Sequence, residues 1–143
     1  MAVISVKAEA ENSTVTYIDA GGHRVIIDEP PAFGGEDTAP SPVAMLLASV
    51  AGCINAIGQW TAKEMGFTIE KLDIQVDGDV DATAFFTGDM SKRAGFSSIN
   101  VNIYLKADIT DEQRKIWLEN VSKRCPVTDN IMYPTPVNFK AEP

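Results

Sequence analysis

Histidine and cysteine are scarce in this chain: His23 is its one histidine, and Cys53 and Cys125 are its two cysteines. Together they fall one ligand short of a structural zinc site, and no CxxC or HxxxH spacing is present. No metal and no other cofactor is expected. Hydrolysis of the Cys–His–Asn kind would need His23 beside a cysteine, and its Gly-Gly-His-Arg setting reads as a solvated turn. Positive charge is scarce too. Twelve Lys and Arg against 20 Asp and Glu leave a net charge of −8, which argues against nucleic acid, whose phosphates demand a basic footprint. The longest apolar run, near residues 43–62, is broken by Ser49, Asn55 and Gln59 and is expected not to span a bilayer. The first residues, MAVISVKAEAEN, lack the basic segment and apolar core of a signal peptide. A cytoplasmic, reducing setting is therefore expected, where a standing structural disulfide is uncommon.

What is present suits one domain over residues 1–143, with 45 % apolar and 22 % charged residues. VISVKAEAE, STVTYID and HRVIID read as short strands, with Gly21 and Gly22 turning the chain between the last two. Residues 29–41, EPPAFGGEDTAPS, are too rich in proline and glycine for regular structure, and loops of that length tend to carry function. Ser41 as N-cap and Pro42 at the first helical position start a helix that should run to about Met65 and close at Gly66. Val43, Met45, Leu46, Leu47, Val50, Ile54, Ile57 and Trp60 cover most of its circumference, so it should be enclosed on nearly all sides. KLDIQVDGDV and SINVNIYLKADI alternate as half-buried strands around a turn-rich connection over 80–95. Thr110 caps a second helix, TDEQRKIWLENVSKR, whose acidic start and basic end suit the helix dipole. A short turn after Cys125 and a final strand, TPVNFKAE, complete an α+β pattern with a mainly antiparallel sheet.

The two cysteines sit in contrasting surroundings. Cys53 lies inside AMLLASVAGCINAIGQW, where small residues allow close approach to a thiol that is otherwise an ordinary core residue. Cys125 precedes Pro126, which forces it out of the preceding helix and brings its sulfur near the free N–H groups of a new turn. With Lys123 and Arg124 just before it, that setting favours thiolate. The plainer alternative is a thiol that caps a turn.

DEPPAFGGEDTAPSPVAMLLASVAGC resembles the Gly-Gly loop and central helix of the OsmC-like family, which includes the organic hydroperoxide resistance proteins. RCPVTDNI resembles that family's second motif, a Cys-Pro-Val after the second long helix. The resemblance covers residues from about 23 to 140. It implies an OsmC-like fold with sheets wrapped around long central helices in an intertwined homodimer, with two sites at the interface. It also implies a thiol peroxidase in which the Cys53 thiolate attacks an organic hydroperoxide and becomes sulfenic acid. Cys125 then condenses with it to a disulfide, and an external dithiol restores both. Active relatives carry a Glu just after the helix-starting proline, paired with an Arg from the N-terminal strands. Here Val43 and Ala44 follow Pro42, and the Arg position falls near Asn12. Arg24 and Arg124 are left as candidate thiolate-stabilising cations. The alternative kept open by that departure is a non-catalytic dimer binding a small apolar ligand.

Overall fold

The computed structural model describes all 143 residues, and the chain divides into two compact units, Met1–Ala48 and Ser49–Pro143. In the first, β1 (Val6–Glu9), β2 (Thr16–Ala20) and β3 (His23–Ile27) form an antiparallel sheet in that order. Asp19 pairs with Arg24 and Ala20 with His23, so Gly21 and Gly22, both at positive φ, make the hairpin turn expected of them. The Gly/Pro-rich segment that follows is ordered by Asp28, whose side chain is fully buried. Oδ1 accepts from the Thr14 hydroxyl at 2.6 Å and the Glu29 N–H at 2.7 Å. Oδ2 accepts from the N–H groups of Glu36 and Thr38 and from the Thr38 hydroxyl. A carboxylate with this many donors keeps its charge without a cation. The Thr14 hydroxyl, followed by the Thr38 N–H, holds the Asp28 carboxyl far below the usual carboxylate range. Gly35 is required in this loop, because a Cβ there would lie 1.8 Å from the Glu29 carbonyl oxygen.

Helix α1 runs Pro42–Glu64, with Ser41 Oγ accepting from the Ala44 N–H and Gly66 at φ 79° just past its end. Two expectations for this helix are corrected. Within the chain α1 buries a single stripe, Val50, Ile54, Gly58, Thr61 and Ala62, and is not enclosed on nearly all sides; Trp60 remains 57 % exposed. By length and composition it is also apolar enough to cross a membrane, with a mean hydropathy of 1.5, because Ser49, Asn55 and Gln59 are uncharged interruptions. A core helix of a globular protein meets the same test.

In the second unit, β4 (Lys71–Val80) and β5 (Phe96–Lys106) form a long antiparallel ribbon. Its register places Leu72 opposite Leu105, Ile74 opposite Ile103 and Val76 opposite Val101, so the apolar members of both strands share one face. The connection holds a one-turn helix, α2 (Thr83–Thr87), inside a segment expected to consist of turns. Helix α3 (Asp111–Arg124) starts with a full capping box between Thr110 and Gln113, and acidic residues occupy its first turn. Val50, Ile54 and Ala62 of α1 meet Leu105 of β5 and Trp117 and Val121 of α3 in the core. Gly58 makes that contact possible: a Cβ there would stand 2.7 Å from the Trp117 ring, and the Trp117 indole N–H donates to the Gly58 carbonyl at 2.9 Å. The final strand is not formed. The chain makes helix α4 (Pro126–Met132) instead, and TPVNFKAE has no regular structure. Its strand-forming residues find no neighbouring strand within the chain to complete a ladder.

Candidate active site: a pair of thiols between two helices

Cys53 lies near the middle of α1, one residue before the buried Ile54. Cys125 is the residue between α3 and α4. It takes an extended conformation (φ −76°, ψ 109°) because Pro126 follows it, and so becomes the N-cap of α4. The packing of Trp117 and Val121 on α1 carries the end of α3 to the level of Cys53. The two sulfurs lie 2.7 Å apart, close enough to share one proton. Both thiols are free. Cys125 is 1 % exposed, whereas Cys53 is only partly covered.

The pair is electrically asymmetric. Burial pushes the Cys53 thiol above its ordinary value, and the hydrogen bond to Cys125 pushes it further, with the Val127 N–H working weakly against them. Burial acts in the same sense on Cys125 but is outweighed. The hydrogen bond with Cys53, Thr128, and the N–H groups of Thr128 and Val127 together bring Cys125 below the ordinary thiol value. The Thr128 N–H points at Cys125 Sγ from 3.5 Å. The donors thus favour Cys125 over Cys53 as the sulfur that carries charge once the pair loses a proton. The two sulfurs titrate as one unit.

The candidate cations are placed as follows. The Arg24 guanidinium, on β3, lies 4.7 Å from the centre of the Tyr17 ring. Arg124 is spent on Glu64: its Nη2 donates to Oε1 at 3.3 Å and its Nη1 to Oε2, and the Trp60 indole N–H donates to the same carboxylate. Glu64 lies about three helical turns beyond Cys53 on α1. The pair thus ties α1 to the end of α3 immediately before Cys125. Lys123 reaches towards Glu119 at 4.0 Å. The groups that act on the thiols are backbone N–H donors and Thr128. Asp28 was not singled out from the sequence, although an Asp opening a Gly/Pro-rich loop that contains a Thr is the pattern of a side chain capping the loop's own N–H groups.

A mainly apolar cavity of about 500 Å³ lies on the Cys125 side of the pair, bounded by Val50 and Ile54 of α1, Val101 and Ile103 of β5, and Cys125, and Cys53 is not part of its lining. Lys123, Asp129 and Tyr133 add polar groups to its lining. A dithiol pair next to an apolar cavity can undergo two-electron oxidation to a disulfide without large movement, since an S–S bond is about 2.05 Å long.

The helix-borne thiol, the Cys-Pro turn and the antiparallel sheets define an α+β fold that brings two thiols together. The family model for OsmC-like protein matches residues 34–140, and the chain belongs to that family. Among solved structures it is similar to an OsmC-like protein from Mycoplasma pneumoniae, with a TM-score of 0.77 and 21 % identity over 92 % of this chain and 88 % of that one. A putative osmotic stress induced and detoxification response protein from Psychrobacter arcticus superposes with a TM-score of 0.75 at 22 % identity, covering 94 % and 91 % of the two chains. An organic hydroperoxide resistance protein OsmC from Legionella pneumophila gives 0.65 at 17 % identity, covering 92 % and 90 %. At these identities the likeness establishes the fold. No curated protein matches the sequence.

Proposed function

We propose that this protein is a thiol-dependent peroxidase that reduces organic hydroperoxides through a two-cysteine cycle. The observation that carries the reading is the 2.7 Å separation of Cys53 and Cys125 Sγ. Cys53, the more accessible of the two residues, is the attacking group, and Cys125 is the resolving thiol. Cys53 gives its proton to solvent, and its thiolate attacks the distal peroxide oxygen. The O–O bond breaks, the alkoxide takes up a proton to leave as an alcohol, and Cys53 becomes sulfenic acid. The Cys125 thiolate then attacks that sulfur, hydroxide leaves as water, and a disulfide remains. An external dithiol returns two electrons and two protons. The apolar cavity supports an organic rather than an inorganic peroxide.

The active form in this reading is a cytoplasmic homodimer. Support comes from apolar surface the single chain leaves open: Val6 and Ile26 on the first sheet, Leu46 and Trp60 on α1, and Val137 and Phe139 in the C-terminal segment. Sedimentation equilibrium should give twice the chain mass, and a monomer at every concentration would remove this part of the reading. A second reading, a dimer that binds a small apolar ligand without turnover, is favoured by the same cavity together with Val43 and Ala44 where active relatives carry a carboxylate. Titration of free thiols before and after one equivalent of cumene hydroperoxide separates the two. Peroxidase chemistry consumes both thiols within minutes; an unchanged thiol count supports the binding module.

A further inference from the structure

The two sulfurs differ in access, and that difference bears on the reducing half of the cycle. We propose that the Cys53–Cys125 disulfide is reopened by attack of a dithiol's thiolate on Cys53, with Cys125 leaving as the thiolate. The inference rests on the two-cysteine reading above and adds the direction of the reduction step.

Thiol–disulfide exchange requires the attacking sulfur to approach one disulfide sulfur while the other departs, and the route of access selects which. Cys125 is 1 % exposed, and the first turn of α4 covers it, with the Thr128 N–H pointing at its sulfur from 3.5 Å. It borders the apolar cavity yet shows almost no surface there. In the single chain Cys53 sits on a helix whose neighbouring positions Gly52, Asn55 and Ala56 are exposed, and Cys53 itself is partly exposed. An incoming thiolate therefore meets Cys53 first. The departing sulfur is also the better placed to carry charge. The Thr128 N–H, 3.5 Å from Cys125 Sγ, faces the charge that appears when the S–S bond breaks, and a sulfur of lower pKa leaves faster.

The electrons balance as follows. The dithiol's first thiolate forms a new S–S bond to Cys53 Sγ as the Cys53–Cys125 bond breaks, its electron pair going to Cys125 Sγ. The dithiol's second thiolate attacks its own sulfur in the mixed disulfide. Cys53 is released as a thiolate that takes up a proton, and the reductant departs as a cyclic disulfide. A monothiol stops at the mixed disulfide, so the adduct marks the sulfur attacked.

The test uses the full chain oxidised with diamide, which makes the disulfide without any hydroperoxide chemistry. The oxidised protein is mixed with glutathione and quenched with excess N-ethylmaleimide at a series of times. Peptide mass spectrometry then locates glutathione and maleimide, extrapolated to zero time to remove migration between the sulfurs. Glutathione on Cys53 and maleimide on Cys125, at least tenfold over the reverse, is the expected result. The reverse pattern, an even mixture, or a disulfide that glutathione does not open overturns the inference. A disulfide that diamide cannot form removes both this inference and the peroxidase cycle. Glutathione on Cys53 in a protein that does not consume cumene hydroperoxide leaves the direction of attack standing and removes the peroxidase reading alone.

Discussion

Two buried polar centres, the Asp28 carboxylate in the first unit and the Cys53–Cys125 pair in the second, show what separates a structural group from a reactive one. Asp28 is fully buried and accepts five hydrogen bonds, from Thr14, Glu29, Glu36 and twice from Thr38. Every lone pair has work, the charge is fixed, and the group has nothing left to offer a substrate. The thiol pair has two sulfurs in hydrogen-bond contact and a sparse set of N–H donors, mostly on the side of Cys125. A proton can pass between the two sulfurs, and Cys53 is partly exposed. A saturated buried anion organises a loop; an unsaturated pair stores a reaction.

The largest test of that contrast removes one sulfur at a time. Cys53→Ser is expected to abolish hydroperoxide consumption, whereas Cys125→Ser should complete one turnover and leave a sulfenic acid that dimedone traps. Equal loss of the first turnover in both variants would show that the roles of the two sulfurs are assigned wrongly.

Next in size is the saturated centre. Asn at position 28 would turn an NH₂ group towards N–H or O–H donors in either orientation, so the loop over 29–40 should loosen. Limited proteolysis within that loop should speed up by about tenfold, the effect of losing roughly one to two buried hydrogen bonds, while the thiol chemistry of the reduced pair continues. The acid side carries a second signature. The Asp28 carboxyl is held far below its unfolded value of about 3.9, so its stabilisation is complete above that pH and is lost as pH falls towards the folded value. Acid unfolding of wild type should thus be steeper below about pH 4 than that of Asp28→Asn. Parallel curves would mean that the network does not hold the charge.

A smaller effect is expected on the reactivity of Cys53. Burial raises its thiol first, but the hydrogen bond to Cys125 and its charge add to the rise. Cys125→Ser removes the charge, so the midpoint of Cys53 alkylation with pH should fall. A rise instead would mean that Cys125 assists Cys53 ionisation by more than it opposes it.

The smallest effects belong to the two arginines. Arg124 and Glu64 are both substantially exposed, so Arg124→Ala should change unfolding free energy by no more than about 1 kcal/mol. Arg24 spends its guanidinium on the face of Tyr17, and Arg24→Ala should leave the alkylation midpoint of Cys53 where it is. A shift of a unit or more would make Arg24 part of the thiol site.

Periodicity and caps were enough to locate most elements. The alternation in KLDIQVDGDV marks β4, Ser41 and Gly66 bracket α1, and Thr110 with Gln113 opens α3. These are local rules, satisfied by residues a few positions apart, and so they can be read along the chain. The prolyl constraint on Cys125 is local too, and its departure from helical conformation follows directly from Pro126. The misplaced features depend on neighbours distant in sequence. TPVNFKAE has strand-forming residues but no ladder partner within the chain, and α1 has apolar residues on most faces but only one packed face. The Asp28 network joins donors from Thr14 to Thr38 that no spacing rule links.

The sequence by itself determined which two residues could carry redox chemistry, the family to which they belong, and the break in the chain at Cys125. Only the tertiary structure decided that the sulfurs meet, which of them is the more acidic, and which residue is the more exposed. Those outcomes rest on Trp117 seating against Gly58 and on the N–H groups of α4 facing Cys125. Distance, burial and donor direction are properties of packed elements, and they do not exist until α1 and α3 are in contact.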